Sequence, residues 1–265
     1  MKIIISPAKK MNVDTDTASY RGLPVYIEKT RVLMEYMKSL DYARCKAIWK
    51  CNDKLAEQNY RRFQEMDLTR SLTPAILSYE GIQYQYLSPK VLEDEELEYL
   101  EEHLKILSGF YGMLRPFDGV VPYRLEMQAR LGGMQVKPGG LQTGIDGEVL
   151  DSLYEYWGST MADALFAEDE VILNLASKEY SKCISAYLKK APQVQFVTCV
   201  FGEVISGKVV EKGTLAKMAR GEMVRFLAKQ QAVDLETVKH FQGLGYGFCK
   251  ERSDERTYIF LKGNE

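Results

Sequence analysis

From Leu107 to Met127 the chain reads Leu-Ser-Gly-Phe-Tyr-Gly-Met-Leu-Arg-Pro-Phe-Asp-Gly-Val-Val-Pro-Tyr-Arg-Leu-Glu-Met, a density of backbone-restricted and chargeable residues that a plain core element would not need. Its three glycines allow close backbone approach, and its two prolines fix φ and push the preceding residues towards extended backbone. Arg124 and Glu126 stand two apart, so on an extended segment they share a face and can orient each other. Arg115 and Asp118 pair most simply as a structural ion pair. Acids occur among bases elsewhere too. Asp53 and Lys54 stand at a helix start, where a lysine and free backbone N–H groups can hold an anion, or where the acid merely complements the dipole. Lys178 and Glu179 follow an apolar run, with Lys182 one turn after Lys178 and on its face. Lys9 follows Ser6 and Pro7, and Lys217 and Arg220 share one face of a later helix. Bases in this number suit phosphate contact, whereas Asp53, Glu126 and Glu179 are the residue type that proton transfer uses. Tyr111 and Tyr123 are candidates for stacking on unpaired bases.

Five segments carry a resemblance in one order along nearly the whole chain. They are Ile5-Ser6-Pro7-Ala8-Lys9, Asp53-Lys54-Leu55, the long loop motif, Asn174-Leu175-Ala176-Ser177 with Glu179-Tyr180, and Ala219-Arg220-Gly221 with Met223 and Arg225-Phe226. Together they resemble the YaaA family of bacterial peroxide-stress proteins. The resemblance implies a cytoplasmic protein that protects cells during hydrogen peroxide stress by limiting reactive iron, and that binds DNA. It also tips Lys9, Asp53 and Lys54 towards a role in the site.

Composition narrows the classes. At 265 residues and 46% hydrophobic content the chain can bury a sizeable core, and the expectation is a single domain over residues 1–265. The longest apolar runs fall far short of the ~20 residues of a membrane span, and the N-terminus has no signal-peptide core, so a cytoplasmic protein without a membrane partner is expected. Five cysteines in odd number, with no Cys-x-x-Cys pair, fit reduced thiols better than a disulfide framework or zinc site. A redox-sensing cysteine is conceivable only where a thiol is exposed and its pKa lowered. Two histidines, His103 and His240, argue against a histidine metal centre or a Ser-His-Asp triad, and neither metal nor cofactor is expected. A formal net charge of −2 means that nucleic acid can bind only through a local basic groove.

The elements that must position these residues follow from periodicity. Lys2 to Ile5 is a buried strand delivering Ser6 to Lys10 at its tip. Helices are predicted over about 33–40, from the Asp41 cap to Trp49, and from Asn52 or Asp53 onward. Residues 75–86 alternate and predict strand structure broken at Gly81. An acidic helix is predicted over 93–107, with Leu97, Leu100, Leu104 and Leu107 as its buried stripe. Tyr123 to Arg130 predicts a strand, Gly132-Gly133 and Lys137-Pro-Gly-Gly turns, and 150–161 one helix. Val171 to Ala176 is a buried strand ending at a Ser177 helix cap, outside which α/β proteins often bind ligands. Paired strands 194–201 and 204–210, a helix from Thr214 to about Gln231, a short helix 234–241 and a final hairpin complete the chain. Val238–Gly245 matches the first half of a helix-hairpin-helix DNA motif, and Leu104–Gly112 matches it more loosely.

The resulting expectation is an α+β fold, a single domain with a mixed, curved sheet and surrounding helices, its motifs gathered at one basic cleft. Two functions stay open. In one, Lys9, Lys54, Arg115, Arg124, Lys178, Lys182, Lys217 and Arg220 form a groove for duplex, distorted or bubble DNA, in a protein acting as a monomer. In the other, Glu126, Glu179 or Asp53 serves an enzyme acting on a nucleobase-containing or phosphate-bearing small molecule.

Overall fold

In a computed structural model, which describes residues 1–137 and 147–263, the core is a mixed sheet built around β1 (Lys2–Ile5). Ile3, Ile4 and Ile5 are fully buried because β1 is central, with parallel neighbours on both sides. Three helices follow: α1 (Ile27–Ser39), α2 (Tyr42–Trp49) and α3 (Asp53–Glu65). Asp41 caps α2 by accepting the Arg44 N–H, and Asn52 caps α3 by accepting that of Leu55.

Residues 75–86 are not the expected strands. They form two short helices, α4 (Ala75–Ser78) and α5 (Ile82–Leu87), around a two-residue strand at Tyr79–Glu80. Tertiary packing decides this, because α5 lies backbone to backbone against a long later helix at Gly221. The acidic helix is shorter than predicted. α6 (Asp94–His103), opened by a Glu93/Glu96 capping box, stops before Leu104. Leu104–Ser108 is instead β2, parallel to β1 and antiparallel to β3 (Gly112–Leu114). The leucine stripe is thus shared between a helix and a strand, which periodicity cannot separate over so short an apolar run.

Tyr123–Arg130 is irregular rather than a strand. Leu125 lies so close beneath Gly109 that a Cβ there would stand 2.5 Å from the Leu125 carbonyl oxygen. The strand is β4 (Arg130–Val136), paired with β5 (Glu148–Ser152), and its ladder slips between Arg130 and Met134. Gly132 and Gly133, at φ +68° and +82°, form that bulge rather than a turn. Of the Lys137-Pro-Gly-Gly turn, residues 138–140 lie outside the described residues. The single helix expected over 150–161 is broken at Gly158 into α7 (Leu153–Trp157) and α8 (Thr160–Glu168).

β6 (Val171–Asn174) lies on the other side of β1 and leads into α9 (Lys178–Ser185). β7 (Gln195–Ile205) turns through Ser206-Gly207 into β8 (Lys208–Val210). Then come α10 (Gly213–Lys229), α11 (Leu235–Lys239), β9 (Tyr246–Phe248) and β10 (Thr257–Lys262). The sheet order is β9-β10-β7-β6-β1-β2-β3, with β8 on β7. The five strands from β10 to β2 are parallel neighbours, and the edges are antiparallel. The fold is therefore a compact α+β domain with a mixed sheet. Both helix-hairpin-helix matches fail on it: Gly245 is followed by strand β9, and Leu104–Gly112 is the β2–β3 hairpin.

Candidate functional site

Parallel neighbours β1 and β6 end side by side, and everything at the site hangs from their C-terminal tips. Past β1 come Ser6 to Lys10; past β6 come Ser177 to Tyr180. The tips are tied together, since Ser6 Oγ accepts the Ser177 N–H at 2.9 Å and lies 3.3 Å from Ser177 Oγ. Asn174 shapes the turn by accepting the Ala176 N–H through Oδ1 at 2.9 Å. Ser177 is the residue before α9, but its side chain makes no capping bond to that helix.

Over these tips opens a cleft of about 400 Å³. The irregular 123–126 segment, α5 and α10 also contribute to its lining. Within it an ion triad stands out. Glu126 holds Lys9 Nζ at 2.7 Å on one carboxylate oxygen and Arg124 Nη2 at 3.0 Å on the other. Arg124 and Glu126 are largely buried while Lys9 reaches into solvent, so this carboxylate fixes one inner and one outer cation. Lys10 pairs with Glu80 at the rim, and Arg220 reaches Glu211 at 3.2 Å. Glu179 accepts the Gln128 N–H at 3.2 Å. Burial pushes its carboxyl above the ordinary range; the Gln128 bond pulls the other way, and the Glu126 charge adds to the rise.

The cleft gathers Lys9, Arg124, Lys217, Arg220, Tyr123, Glu126 and Glu179 from four separate regions of the sequence. It does not gather the rest. Asp53 and Lys54 are exposed on the first turn of α3, where Asp53 pairs with Lys46 at 2.5 Å, the helix-start acid of the plainer reading. Arg115 is taken up by fully buried Asp118, through Nε at 3.0 Å and Nη2 at 2.9 Å, while Asp118 also accepts the Arg115 N–H. Lys178 and Lys182 are exposed on α9, with Lys182 Nζ 4.7 Å from the Tyr154 ring centre.

The two tyrosines expected to stack on bases are core residues. Tyr111 is 1% exposed, packs on Phe110 and Tyr123, and accepts the Val121 N–H at its hydroxyl. Tyr123 borders the cleft at 5% exposure, but its hydroxyl is locked between Ser108 at 2.6 Å and Tyr79 at 2.9 Å. Burial pushes that phenol up to about 12.

Sequence reasoning missed Gln83, Tyr84 and Tyr180, which also line the cleft. Reading 75–86 as strands hid the first two; only Gly81, whose Cβ would stand 3.0 Å from that of Ala8, hinted at a close crossing there.

A family model described as peroxide stress protein YaaA matches residues 1–252. The chain is 50% identical over 262 residues to a UPF0246 protein of Desulfitobacterium hafniense, covering 99% of this chain and 98% of that one. It is 51% identical over 263 residues to a UPF0246 protein of Lachnoclostridium phytofermentans, covering 99% and 97%, and 46% identical over 262 residues to one from Pediococcus pentosaceus, covering 99% and 98%. With a fold, a cleft and a sequence match that run almost from end to end, this chain belongs to the YaaA family of peroxide-stress proteins.

Proposed function

We propose that this peroxide-stress protein acts by binding DNA through the cleft at the β1 and β6 tips. One observation carries the reading: five cations, Lys9, Lys10, Arg124, Lys217 and Arg220, line the cleft against three carboxylates, on a molecule whose net charge is −2. Such a local excess attracts phosphate by counterion release, with little dependence on sequence. A duplex is too broad to enter a space of about 400 Å³, so the reading favours a distorted or unpaired stretch over an intact one. Limiting reactive iron is proposed as an indirect consequence, because among the described residues no three His, Cys, Asp or Glu side chains gather as a metal site needs.

The test is a salt-dependent binding titration against intact duplex, duplex with an unpaired bubble, and single strand, repeated with Arg124→Ala. Salt-steep binding that favours the bubble is expected, with the slope of log affinity against log salt falling by about 1 in the variant. Binding that is absent at physiological salt, or indifferent to Arg124, would overturn it.

A second reading rests on Glu179. A half-buried carboxyl raised above its ordinary range beside Glu126 is suited to proton transfer, which favours an enzyme acting on a nucleobase-containing or phosphate-bearing small molecule. Turnover of such a substrate that disappears in folded Glu179→Gln would establish this role; undiminished turnover in that variant would end it.

A further inference from the structure

Six buried side-chain nitrogen or oxygen atoms lack a hydrogen-bond partner among the described residues, and three belong to cleft residues: Gln83 Nε2, Arg124 Nε and Arg220 Nε. All three are donors. A buried donor without an acceptor is costly, so folds seldom keep one unless something else satisfies it. Gln83 is the most telling, since it is only 7% exposed and an apolar side chain would fill its place without that cost.

The backbone holds two of these donors together. α10 meets α5 at Gly221, where a Cβ would stand 2.0 Å from the Gln83 carbonyl oxygen and 3.0 Å from the Leu87 nitrogen. Arg220 is the residue next to that contact. The glycine of Ala219-Arg220-Gly221 thus brings Arg220 and Gln83 to one wall of the cleft as a preset pair. Lys9 and Arg124 line the same cleft, as do the apolar Ile82, Tyr84 and Leu125. A ligand matched to this lining has an anion for Lys9 and Arg124, an apolar body, and acceptor oxygens or nitrogens for Gln83 and Arg220.

We propose that the cleft holds one nucleoside monophosphate unit, its phosphate at Lys9 and Arg124 and its base edge at Gln83 and Arg220, with bases carrying a carbonyl acceptor preferred over adenine. Arginine reads such an edge well, and the guanine O6/N7 pair is its commonest partner. The unit is the same chemistry whether free or as an unpaired residue of a strand. The inference rests on the cleft being the binding site, not on DNA being the carrier.

The experiment is calorimetric titration of the full chain with GMP, TMP, AMP and inorganic phosphate, alongside bubble DNA whose unpaired base is G, T or A. Each titration is run on the native protein, Gln83→Met and Arg220→Met. GMP and TMP are expected to bind at least tenfold tighter than AMP and phosphate, and Gln83→Met to level that preference without altering the salt slope for DNA. Removing an unpartnered amide should leave the melting temperature unchanged or raised, which separates recognition from misfolding; Arg220→Met is the second check should Gln83→Met fold poorly. If free nucleotides bind with this preference and DNA does not, the inference stands and the DNA reading falls. If DNA binds but is blind to the unpaired base in native protein and variants alike, the DNA reading stands and the inference falls. Phosphate binding as tightly as GMP also overturns it.

Discussion

Glu126 determines what the cleft cations are free to do. While its carboxylate holds both Lys9 and Arg124, part of their charge is already spoken for. Glu126→Gln should therefore tighten bubble-DNA binding by about 1 kcal/mol, roughly fivefold, as read by the same salt titration; weaker binding would mean that the acid positions the cations rather than competing for them. The cysteines are quieter than a peroxide-stress role suggests. Burial pushes the Cys45 thiol up to about 11 and Cys183 up to about 12, raises Cys199 too, and leaves all three protonated at neutral pH. Of the five, Cys51 alone is not buried. Thiol titration of native protein near pH 7.5 is expected to modify Cys51 quickly and the buried thiols only on unfolding. Tyr123 belongs to the same scale: Tyr123→Phe leaves Tyr79 and Ser108 without their shared partner and should cost about 1–3 kcal/mol in denaturant unfolding, while leaving the ring in place.

Among the elements, the α5–α10 contact matters most to the site. Gly221→Ala has nowhere to put its methyl except against backbone, so the helices must part. A loss of about 1–3 kcal/mol is expected by chemical denaturation, together with weakened binding at Gln83 and Arg220. A variant of native stability would show that the contact yields easily. This is also where legibility in the sequence ended. β1 and β6 were readable because a short apolar run ending at a turn has few alternatives. The pairing of β7 with β8 was anticipated, but its turn falls at Ser206-Gly207, inside the 204–210 strand that the sequence suggested. α5 and β2 were not readable, because α5 is packed backbone to backbone on α10 and Leu104 and Ile106 complete the sheet beside β1, and such partners decide between helix and strand for short segments. The site was legible in the same measure. Of the candidates, Lys9, Arg124, Glu126, Glu179, Lys217 and Arg220 line one cleft, whereas Gln83 was lost with its helix.

For the molecule as a whole, a pH dependence follows from how its loops are fastened. Asp14 accepts Lys90 Nζ at 2.6 Å, Thr17 Oγ1 at 2.8 Å and the Thr17 N–H at 3.0 Å, while its own N–H donates to Thr73. The lysine bond foremost, then those from Thr17, hold its carboxyl well below the usual carboxylate range. A folded pKa below the unfolded one contributes stability above the unfolded value, near 4, that drains away as pH falls through it towards the folded value. The melting temperature should therefore drop on acidification below about pH 4, and drop less in Asp14→Asn; equal slopes would place the acid sensitivity elsewhere.

By itself the sequence determined which residues have the chemistry, that the fold mixes helices with a largely buried sheet, and that any DNA contact must be local on a slightly acidic chain. Those properties live in residue type, period and net charge, which short-range physics reads directly. Only the tertiary structure decided which of the candidates meet. The parallel pairing of β1 with β6 brings Ser6 beside Ser177 across 171 positions, and a glycine pressed on a carbonyl seats Arg220 beside Gln83. The same packing turned Tyr111 inward and left Lys54, Lys178 and Lys182 outside the cleft. Contacts at such separation follow from the burial of a shared core, and no local pattern encodes them.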